Sequence, residues 1–457
     1  MTPAVLALAA LAAVHFPVST TDRLAQASID RGLLFYFAYD GGDAAGAFAN
    51  AAARDPNLAM AYWGEALAGG PDLNTPMSEE RFQQGQTAVG KAVALERYAT
   101  VDERHYIDAM AQRYKGTWAD WKDDDDGYRA AMNRLADAPA ADDVATVLAA
   151  EALLENGGFV WTGSSPATPD SRQALALVTR VLARDPENLM ANHLCIHLYD
   201  GAHDRTPALA CAERLDAATL PPQGEHVAHM PSHYWIESGN YAAAVASSER
   251  AYRLFEQLQQ VGDRNPDHDR YLIHDAYVGY SGAMMLGDYA TARVWSARMD
   301  ATYGTSFDAL TALRFERFAD AYALAQGSAP NDLAIRGLAA LELGRKDEAR
   351  AIAAQLRKIT TAGDVVDIFF ARAAELDGRY DEAVRWLEKA AATQRDTFAD
   401  ELIPLLPALE ARGAFAMRRD AYADAVTAYG AALAAYPNDP RALAGLAAAR
   451  ASQGRSP

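Results

Sequence analysis

Residues 31–62 read RGLLFYFAYDGGDAAGAFANAAARDPNLAMAY and carry small, aromatic and proline residues at a fixed stride. The positions in one register are Gly32, Phe35, Ala44, Phe48, Ala51 and Pro56. Small residues let two helices approach closely, and an aromatic ring fills the gap that remains between them. Proline disfavours helix in the residue before it, so Asp55-Pro56 marks a helix end. The stretch therefore predicts a helical hairpin followed by a new helix near Tyr62.

The same spacing returns at the far end of the chain and, in part, between the two ends. The last window holds Gly413, Ala425, Tyr429, Ala432 and Pro437. Partial windows start with a glycine just past a helix, where a positive φ is needed; they are Gly239-Asn240-Tyr241, Gly287-Asp288-Tyr289, Gly344-Arg345 and Gly378-Arg379-Tyr380. Such recurring units are typical of the tetratricopeptide repeat (TPR). The sequence therefore predicts an all-α fold, a TPR-like α-solenoid of antiparallel helix pairs with a right-handed superhelix.

Other architectures find no support in the sequence. It contains no useful strand-period stretch, no βαβ alternation, no glycine-rich phosphate loop and no Gly-x-Ser-x-Gly elbow. The run Asp123–Asp126 lacks the spaced ligands of a calcium loop and is interpreted as a solvated loop. Ala325–Asp332 is the best linker candidate. It predicts a larger helical array over residues 15–325, which holds the histidine cluster, and regular TPR units over residues 331–457.

Composition limits the partners that the chain can bind. Of its 457 residues, 50% are hydrophobic, which suits a repeat array because a single core rarely grows past about 250–300 residues. The net charge is −19, so a phosphate backbone would be repelled and nucleic acid is not expected as a partner. The expected partner is a protein or peptide in the concave groove that such solenoids form.

The first 14 residues are an apolar run of mainly Ala, Leu and Val. The run is shorter than the roughly 20 residues that span a bilayer, and no other segment could span one. Its length fits a secretory signal, with a small-x-small cleavage site at Ala10-Leu11-Ala12, although the first arginine is Arg23. We therefore expect residues 1–14 to be a signal peptide and the protein to be periplasmic or secreted. The alternative is a cytoplasmic protein in which this run caps the first repeat.

The chain has two cysteines, Cys195 and Cys211. Two cysteines cannot form a disulfide framework, but they can form one bond in an oxidising compartment. The alternative is a pair of buried thiols, because a free cysteine packs like a small hydrophobic residue. The sequence leaves both alternatives open.

The histidines are concentrated, because eight of ten lie between His193 and His274. His193 and His197 are four residues apart and thus share a helix face, with Asp200 close to that face. Two imidazoles and a carboxylate in this spacing can bind a metal ion. This is the first of three groups that we consider as metal ligands.

The second group is Glu225-His226-Val227-Ala228-His229-Met230-Pro231-Ser232-His233. Pro231 predicts a helix start, since its missing N–H costs nothing there. His226 and His229 are then expected on the loop before it, still within reach of His233. The third element is His274, on the first helix of the next pair. His203 and His268 lie in Asp-rich segments and are expected to be exposed.

First helices of adjacent pairs line the concave face of a solenoid, so these groups can meet there. The candidate metal ligands are His193, His197, Asp200, His226, His229, His233 and His274. Zinc suits imidazole with carboxylate, and copper or iron suits a histidine-rich set. The alternatives are a structural histidine network that ties repeats together, and a metal-free acid/base or ligand-binding site.

At these residues the sequence resembles a family of bacterial TPR proteins, many of them exported, that carry a His-Met-Pro-Ser-His motif. The matching blocks are His15-Phe16-Pro17-Val18-Ser19, Asp55–Leu67, Gly70-Pro71-Asp72-Leu73-Asn74, Ala191–His197 and His229-Met230-Pro231-Ser232-His233. The resemblance implies the repeat fold, and it implies that the seven candidate ligands occupy recurring polar positions of the family. The chain departs from the family at Asp200, where many relatives have Glu, and at Asp275, where Asn is frequent.

Two functional hypotheses from different classes follow. The first is a scaffold that binds a protein or peptide in its groove, with the histidine metal site on the concave face. The second is a metal-dependent enzyme, hydrolase or oxidase-like, or a metal carrier, that uses His193, His197, His229 and His233. A third hypothesis is a structural or assembly subunit whose histidines only tie the repeats together.

Overall fold

The structure is a computed structural model that describes residues 14–139, 141–155, 161–162, 165–166, 168–200, 202, 204–261, 265–303, 307–359, 363–397 and 403–454. The chain divides into two compact units. The first unit comprises Met1–Tyr234 and Arg250–Leu272, and the second comprises Trp235–Glu249 and Ile273–Pro457. The division predicted from sequence, into a larger array over residues 15–325 and regular TPR units over residues 331–457, stays a prediction.

Regular structure in the described residues is almost entirely α-helical. The helices up to residue 229 are α1 (Arg23–Phe37), α2 (Gly41–Arg54), α3 (Ala59–Ala68), α4 (Glu79–Ala94), α5 (Val101–Arg113), α6 (Trp121–Ala136), α7 (Asp143–Leu154), α8 (Pro169–Arg184), α9 (Leu189–Tyr199), α10 (Leu209–Ala217) and α11 (Glu225–His229). Short 3-10 helices cover Glu96–Tyr98, Trp118–Asp120, Thr206–Ala208 and Pro222–Gly224. Two-residue strands β1 (Trp161–Thr162) and β2 (Ser165–Pro166) pair antiparallel, with Trp161 opposite Pro166.

The remaining helices follow the same alternation of helix and short turn. They are α12 (Pro231–Glu237), α13 (Tyr241–Gln260), α14 (Pro266–Leu286), α15 (Tyr289–Tyr303), α16 (Phe307–Arg314), α17 (Phe318–Leu324), α18 (Pro330–Glu342), α19 (Lys346–Leu356), α20 (Asp364–Leu376), α21 (Tyr380–Thr397), α22 (Ala408–Met417), α23 (Tyr422–Ala435) and α24 (Pro440–Gln453).

Glycine and aromatic residues contact each other at the positions that the repeat spacing in the sequence predicts. Phe48 on α2 is fully buried, and its ring lies where a Cβ on Gly32 of α1 would be, 2.6 Å from that position. The same ring occupies the Cβ position of Gly64 on α3, the first helix of the next pair. One aromatic side chain therefore packs its own hairpin and stacks the next hairpin on it.

The second unit repeats this arrangement at its C-terminal end. The Tyr429 ring on α23 lies 2.6 Å from the Cβ position of Gly413 on α22, and it also fills the Cβ position of Gly445 on α24. Because equivalent residues make equivalent contacts in both units, the predicted all-α fold of TPR-like helix pairs is confirmed.

The turns that join the two helices of a pair share one backbone conformation. Gly344 and Gly378 have φ of 76° and 73°, and the residue after each donates its N–H to a carbonyl five residues earlier, as Arg345 does to Ala340 at 2.8 Å. This is the helix-ending pattern in which a left-handed residue satisfies the last carbonyls. Tyr39 and Glu316 adopt the same conformation with φ of 59°, without the freedom of glycine.

The aspartate run is not a solvated loop, which corrects the interpretation from sequence. Asp123–Asp126 lies within α6, and the carboxylate of Asp125 is buried. Asp125 Oδ1 accepts a hydrogen bond from Nε of the equally buried Arg113 at 2.7 Å. A buried arginine requires such a partner, so this acid serves the core and faces no solvent.

Cys195 on α9 and Cys211 on α10 form a disulfide, with 6.4 Å between their Cα atoms. Both residues are buried, so the structure selects the bonded alternative over two free thiols. Among the helices that the structure describes, none has both the length and the apolar character required to span a bilayer. The signal-peptide prediction falls on residues 1–13, outside the described residues, and on Val14.

Candidate functional site

Helix α9 presents two imidazoles to one buried point of the first unit. The helix begins after Asn188, whose side chain accepts a hydrogen bond from the N–H of Ala191 at 3.0 Å. His193 and His197 lie one turn apart on this helix, both buried, and their Nε2 atoms are 3.1 Å apart. The predicted shared face is therefore confirmed, and it lies inside the protein.

A second imidazole pair comes from the segment after the 3-10 turn at Pro222–Gly224. Helix α12 begins at Pro231, as predicted, but His226 and His229 lie in the short helix α11 and not on a loop. His229 Nε2 lies 3.0 Å from His233 Nε2, so the i,i+4 relation survives the proline. These histidines are also buried.

Three of the imidazoles converge. The rings of His193 and His226 are 5.0 Å apart between centroids, and those of His197 and His226 are 6.3 Å apart. One nitrogen from each of the three lies within 4.8 Å of the others, so the three side chains could hold a metal ion after small ring rotations. Burial, and then neighbouring imidazoles, hold the pKa values of His193 and His226 well below the usual range. Both rings are thus neutral, which is the form that binds metals.

Asp200 lies just past the C-terminal end of α9 and faces two histidines. Its Oδ2 is 3.3 Å from Nδ1 of His197 and 3.5 Å from Nδ1 of His233. Burial alone would raise the pKa of this carboxyl, but His233 and His197 together lower it below the usual range. The carboxylate is therefore ionised and links the two histidine pairs.

His268 is buried, which corrects the expectation of an exposed side chain. Its Nε2 lies 2.9 Å from Oδ2 of Asp40, the residue that caps the N-terminus of α2. The other carboxylate oxygen of Asp40 accepts a hydrogen bond from Asn265 Nδ2 at 2.6 Å. His268 therefore has a structural role in fixing the α1–α2 turn.

Two further histidines complete the set from the sequence. His274 belongs to the second unit, where its side chain is 31% exposed and its Nδ1 lies 3.4 Å from Oδ1 of Asp275. Asp275 itself is buried. His203 lies outside the described residues.

The second unit contains a groove of about 590 Å³. Residues of α16, α18, α20, α22 and α24, the first helices of successive pairs, provide most of its lining. Apolar side chains such as Leu338, Ile368 and Phe415 line it together with arginine and glutamate side chains.

The charged groups in this groove neutralise one another. Arg418 donates from Nε and Nη2 to the two carboxylate oxygens of Glu375, at 2.7 and 2.8 Å. Arg314 is buried and donates to Glu410 at 2.8 Å, and Nε of Arg441 lies 3.3 Å from the same carboxylate. The groove thus offers apolar surface among fixed, paired charges.

No protein-family model and no curated protein matches this sequence. Solved structures align along most of the chain at low identity. The TPR domain of P58(IPK) is 15% identical with a TM-score of 0.25, and the alignment covers 95% of this chain and 99% of that one. Yeast Tom70 is 11% identical with a TM-score of 0.33, covering 95% and 97%. Human IFIT1, solved with m7Gppp-AAAA, is 12% identical with a TM-score of 0.32, covering 94% and 96%. At these scores the likeness carries no argument about function.

Sequence reasoning missed Tyr39, which forms one wall of the histidine cluster. Its ring lies 4.5 Å from that of His193 and 5.5 Å from that of His226. The ring of Tyr271 also packs against that of His226, with 4.2 Å between the ring centroids. The signal was present in the sequence, because Tyr39 occupies the turn position that other pairs fill with glycine.

Proposed function

We propose that this chain is a repeat protein that binds a protein or peptide in the groove of its second unit. The groove itself is the observation that carries the proposal. Its volume of about 590 Å³ lies within the range of ligand sites, and the first helices of five successive pairs provide most of its lining. A site that extends along several helices suits a peptide segment better than a small compact molecule.

The lining indicates what kind of segment fits. Leu338, Ile368 and Phe415 offer apolar contacts, so the segment should insert apolar side chains between the helices. The bidentate pair of Arg418 and Glu375 leaves little net charge to attract a highly charged ligand. With a net charge of −19 on the whole chain, we expect a peptide and not a nucleic acid.

Peptide selection with a groove variant tests this proposal. Phage-displayed random peptides are selected on the full chain, and the affinities of synthetic copies are measured by fluorescence anisotropy. Ala444 lines the groove, and arginine at this position would fill it without removing core contacts. We expect Ala444→Arg to weaken binding at least about tenfold.

The matched control is Ala447→Arg, on the same helix and exposed but outside the groove lining. It should bind the selected peptides like the wild type. If no peptide is enriched, or if the Ala444→Arg and Ala447→Arg variants bind equally well, the groove is not the docking site.

We also propose that the protein is exported. The disulfide between Cys195 and Cys211 supports this, because such bonds persist mainly in oxidising compartments. Expression of the full chain in a bacterium, followed by fractionation and mass measurement, tests it. Export predicts a periplasmic product that has lost its N-terminal apolar run. A full-length cytoplasmic product with two free thiols would contradict it.

Metal binding by the histidine cluster of the first unit is the second function that we propose. It is favoured by one observation, the convergence of nitrogens from His193, His197 and His226 within 4.8 Å. Zinc, copper and iron are the candidate ions, as the residue types suggest. Equilibrium dialysis of the untagged chain against each ion tests it, and less than about one bound ion per chain would exclude it.

A further inference from the structure

Hydrogen bonding on the far side of the rings determines which nitrogen of His193 and His197 carries the proton. His193 Nδ1 lies 3.0 Å from the carbonyl oxygen of Phe37, which can only accept, so Nδ1 is the donor. His197 Nδ1 lies 3.3 Å from Oδ2 of Asp200, a carboxylate oxygen that it is placed to donate to. With Nδ1 as the donor in both rings, Nε2 is the nitrogen with a lone pair.

These two lone pairs point at the same place. The Nε2 atoms of His193 and His197 are 3.1 Å apart in a buried region, where two lone pairs repel each other unless a cation lies between them. With metal–nitrogen distances of about 2.0–2.1 Å, one ion can contact both atoms at this separation. This arrangement suits two imidazoles that share a cation better than a hydrogen-bonded pair.

His226 provides the independent observation. The residue is only 2% exposed, and neither ring nitrogen has a hydrogen-bond partner among the residues that the structure describes. A buried imidazole without a partner is unfavourable, unless a ligand that the protein binds satisfies it. One of its nitrogens lies within 4.8 Å of those of His193 and His197, so a shared ion accounts for it.

We infer that the first unit holds one zinc or copper ion through Nε2 of His193, Nε2 of His197 and one ring nitrogen of His226. This inference rests on the proposed metal binding and assigns its coordination. Three imidazole nitrogens without a thiolate suit zinc or copper, and leave a fourth position of a tetrahedral ion for another ligand. The ferrous site of two histidines and one carboxylate is disfavoured, because Asp200 is engaged elsewhere.

In this assignment Asp200 lies outside the coordination sphere and is a positioning residue. Its Oδ2 faces Nδ1 of His197 and Nδ1 of His233, at 3.3 and 3.5 Å. Such a carboxylate fixes the tautomer and orientation of a ligand, and its loss weakens metal affinity about 10–100-fold. Asp200→Asn is therefore expected to weaken affinity within that range, while the number of coordinating nitrogens stays the same.

The test uses the untagged full chain, stripped with a chelator and then titrated with Zn²⁺. We expect one high-affinity ion per chain and a rise in thermal unfolding temperature on addition of Zn²⁺. His226→Ala should weaken binding more than Asp200→Asn does, while circular dichroism in chelator verifies that it folds. The matched control is His105→Ala, an exposed histidine outside the cluster.

Copper provides a readout that needs no variant. The electron paramagnetic resonance spectrum of the chain loaded with Cu²⁺ should show coupling to three nitrogens. A chain that binds neither Zn²⁺ nor Cu²⁺ removes the proposed metal binding itself. If the spectrum shows coupling to only two nitrogens, metal binding stands but the proposed coordination is wrong. The same conclusion follows if His226→Ala binds the ion with unchanged affinity.

Discussion

At the scale of single residues, the candidate site depends on a tyrosine in a conformation normally given to glycine. Tyr39 has a φ of 59°, which costs about 1–2 kcal/mol for a residue with a side chain. Its ring packs 4.5 Å from that of His193. The strain persists because the ring closes the cluster, which a glycine could not do.

Replacing Tyr39 should show whether its backbone strain or the packing of its ring has the larger effect on the free energy of unfolding. Tyr39→Gly relieves the backbone but removes a buried ring, and we expect it to lower the free energy of unfolding by about 2 kcal/mol. Glu316 has the same φ, but its side chain is 63% exposed. Glu316→Gly should instead raise the free energy of unfolding by about 0.5–1 kcal/mol. Urea unfolding measures both, and stabilisation by Tyr39→Gly would contradict the assigned role.

The i,i+4 spacing of His193 and His197 was readable from sequence, because one helix determines it. The position of Tyr39 against His193 was not, since only the tertiary packing of α1 against α9 brings residues so distant in sequence together. The burial of His268 was missed for the same reason, as Asp-rich neighbours suggested solvent while its partner Asp40 lies far along the chain.

At the scale of elements, the contact between a glycine and an aromatic ring determines how helices stack. A Cβ on Gly413 would lie 2.6 Å from Tyr429, whereas one on Gly430 would meet no described atom within 4 Å. Both glycines lie inside helices, on α22 and α23. They therefore form a matched pair with opposite expected effects.

We expect Gly413→Ala to lower the free energy of unfolding by about 1–3 kcal/mol, because the ring must move to admit the methyl group. Gly430→Ala should raise it by about 0.5–1 kcal/mol, because alanine favours helix. Chemical unfolding of both variants checks this. Equal effects of the two changes would show that the close approach of α22 and α23 is not required.

The N-cap of α24 makes stability depend on pH. Burial, and then the charge of Glu410, raise the pKa of Asp439 to about 7. The folded state therefore retains a proton that the unfolded state loses near pH 4, and stability falls as pH rises from about 4 to 7. The expected slope is up to about 1.4 kcal/mol per pH unit. Asp439→Asn keeps the cap and should remove this slope in pH-dependent urea unfolding.

Asp288, an exposed residue at the start of α15, provides a control in which stability depends on pH with the opposite sign. Hydrogen bonds from the Thr291 hydroxyl and the Ala290 N–H lower the pKa of Asp288. Its contribution to stability is present above its unfolded pKa and is lost as pH falls. Asp288→Asn should therefore lower stability above about pH 4, and its difference from the wild type should vanish at acidic pH. A slope between pH 4 and 7 that persists in Asp439→Asn would assign the effect to another group.

The disulfide ties α9, which carries two candidate ligands, to α10. Cys195 and Cys211 are 16 residues apart, and closing a loop of about that length stabilises the folded state by about 3 kcal/mol. Reduction should lower the free energy of unfolding by this amount and weaken metal binding through α9. Urea unfolding with and without reductant checks it, and identical curves would mean that the bond does not form in solution.

At the scale of the whole molecule, the fold was predictable because its signal is local and repeated. Gly32, Phe48 and Pro56 lie within one hairpin, and their equivalents recur near the C-terminus. Each repeat confirms the register of the others, so single departures such as Tyr39 do not obscure it. The histidine groups were predictable as groups for the same local reason.

The assembly of the site was less predictable. The sequence placed Asp200 among the candidate ligands, but only the fold shows that its carboxylate faces the Nδ1 atoms of two histidines, as the proposed positioning role requires. The lone-pair arrangement at His193 depends on the carbonyl of Phe37, a backbone contact that leaves no trace in composition or spacing. The groove depends on stacking of five helices and was expected only as a general property of solenoids.

The most direct test of the account is an anomalous-diffraction measurement on crystals of the full chain soaked in Zn²⁺ and collected at the zinc absorption edge. The account predicts one strong peak about 2.0–2.1 Å from Nε2 of His193, Nε2 of His197 and one nitrogen of His226. A crystal without a peak at this position, or with one that His226 does not contact, would contradict it.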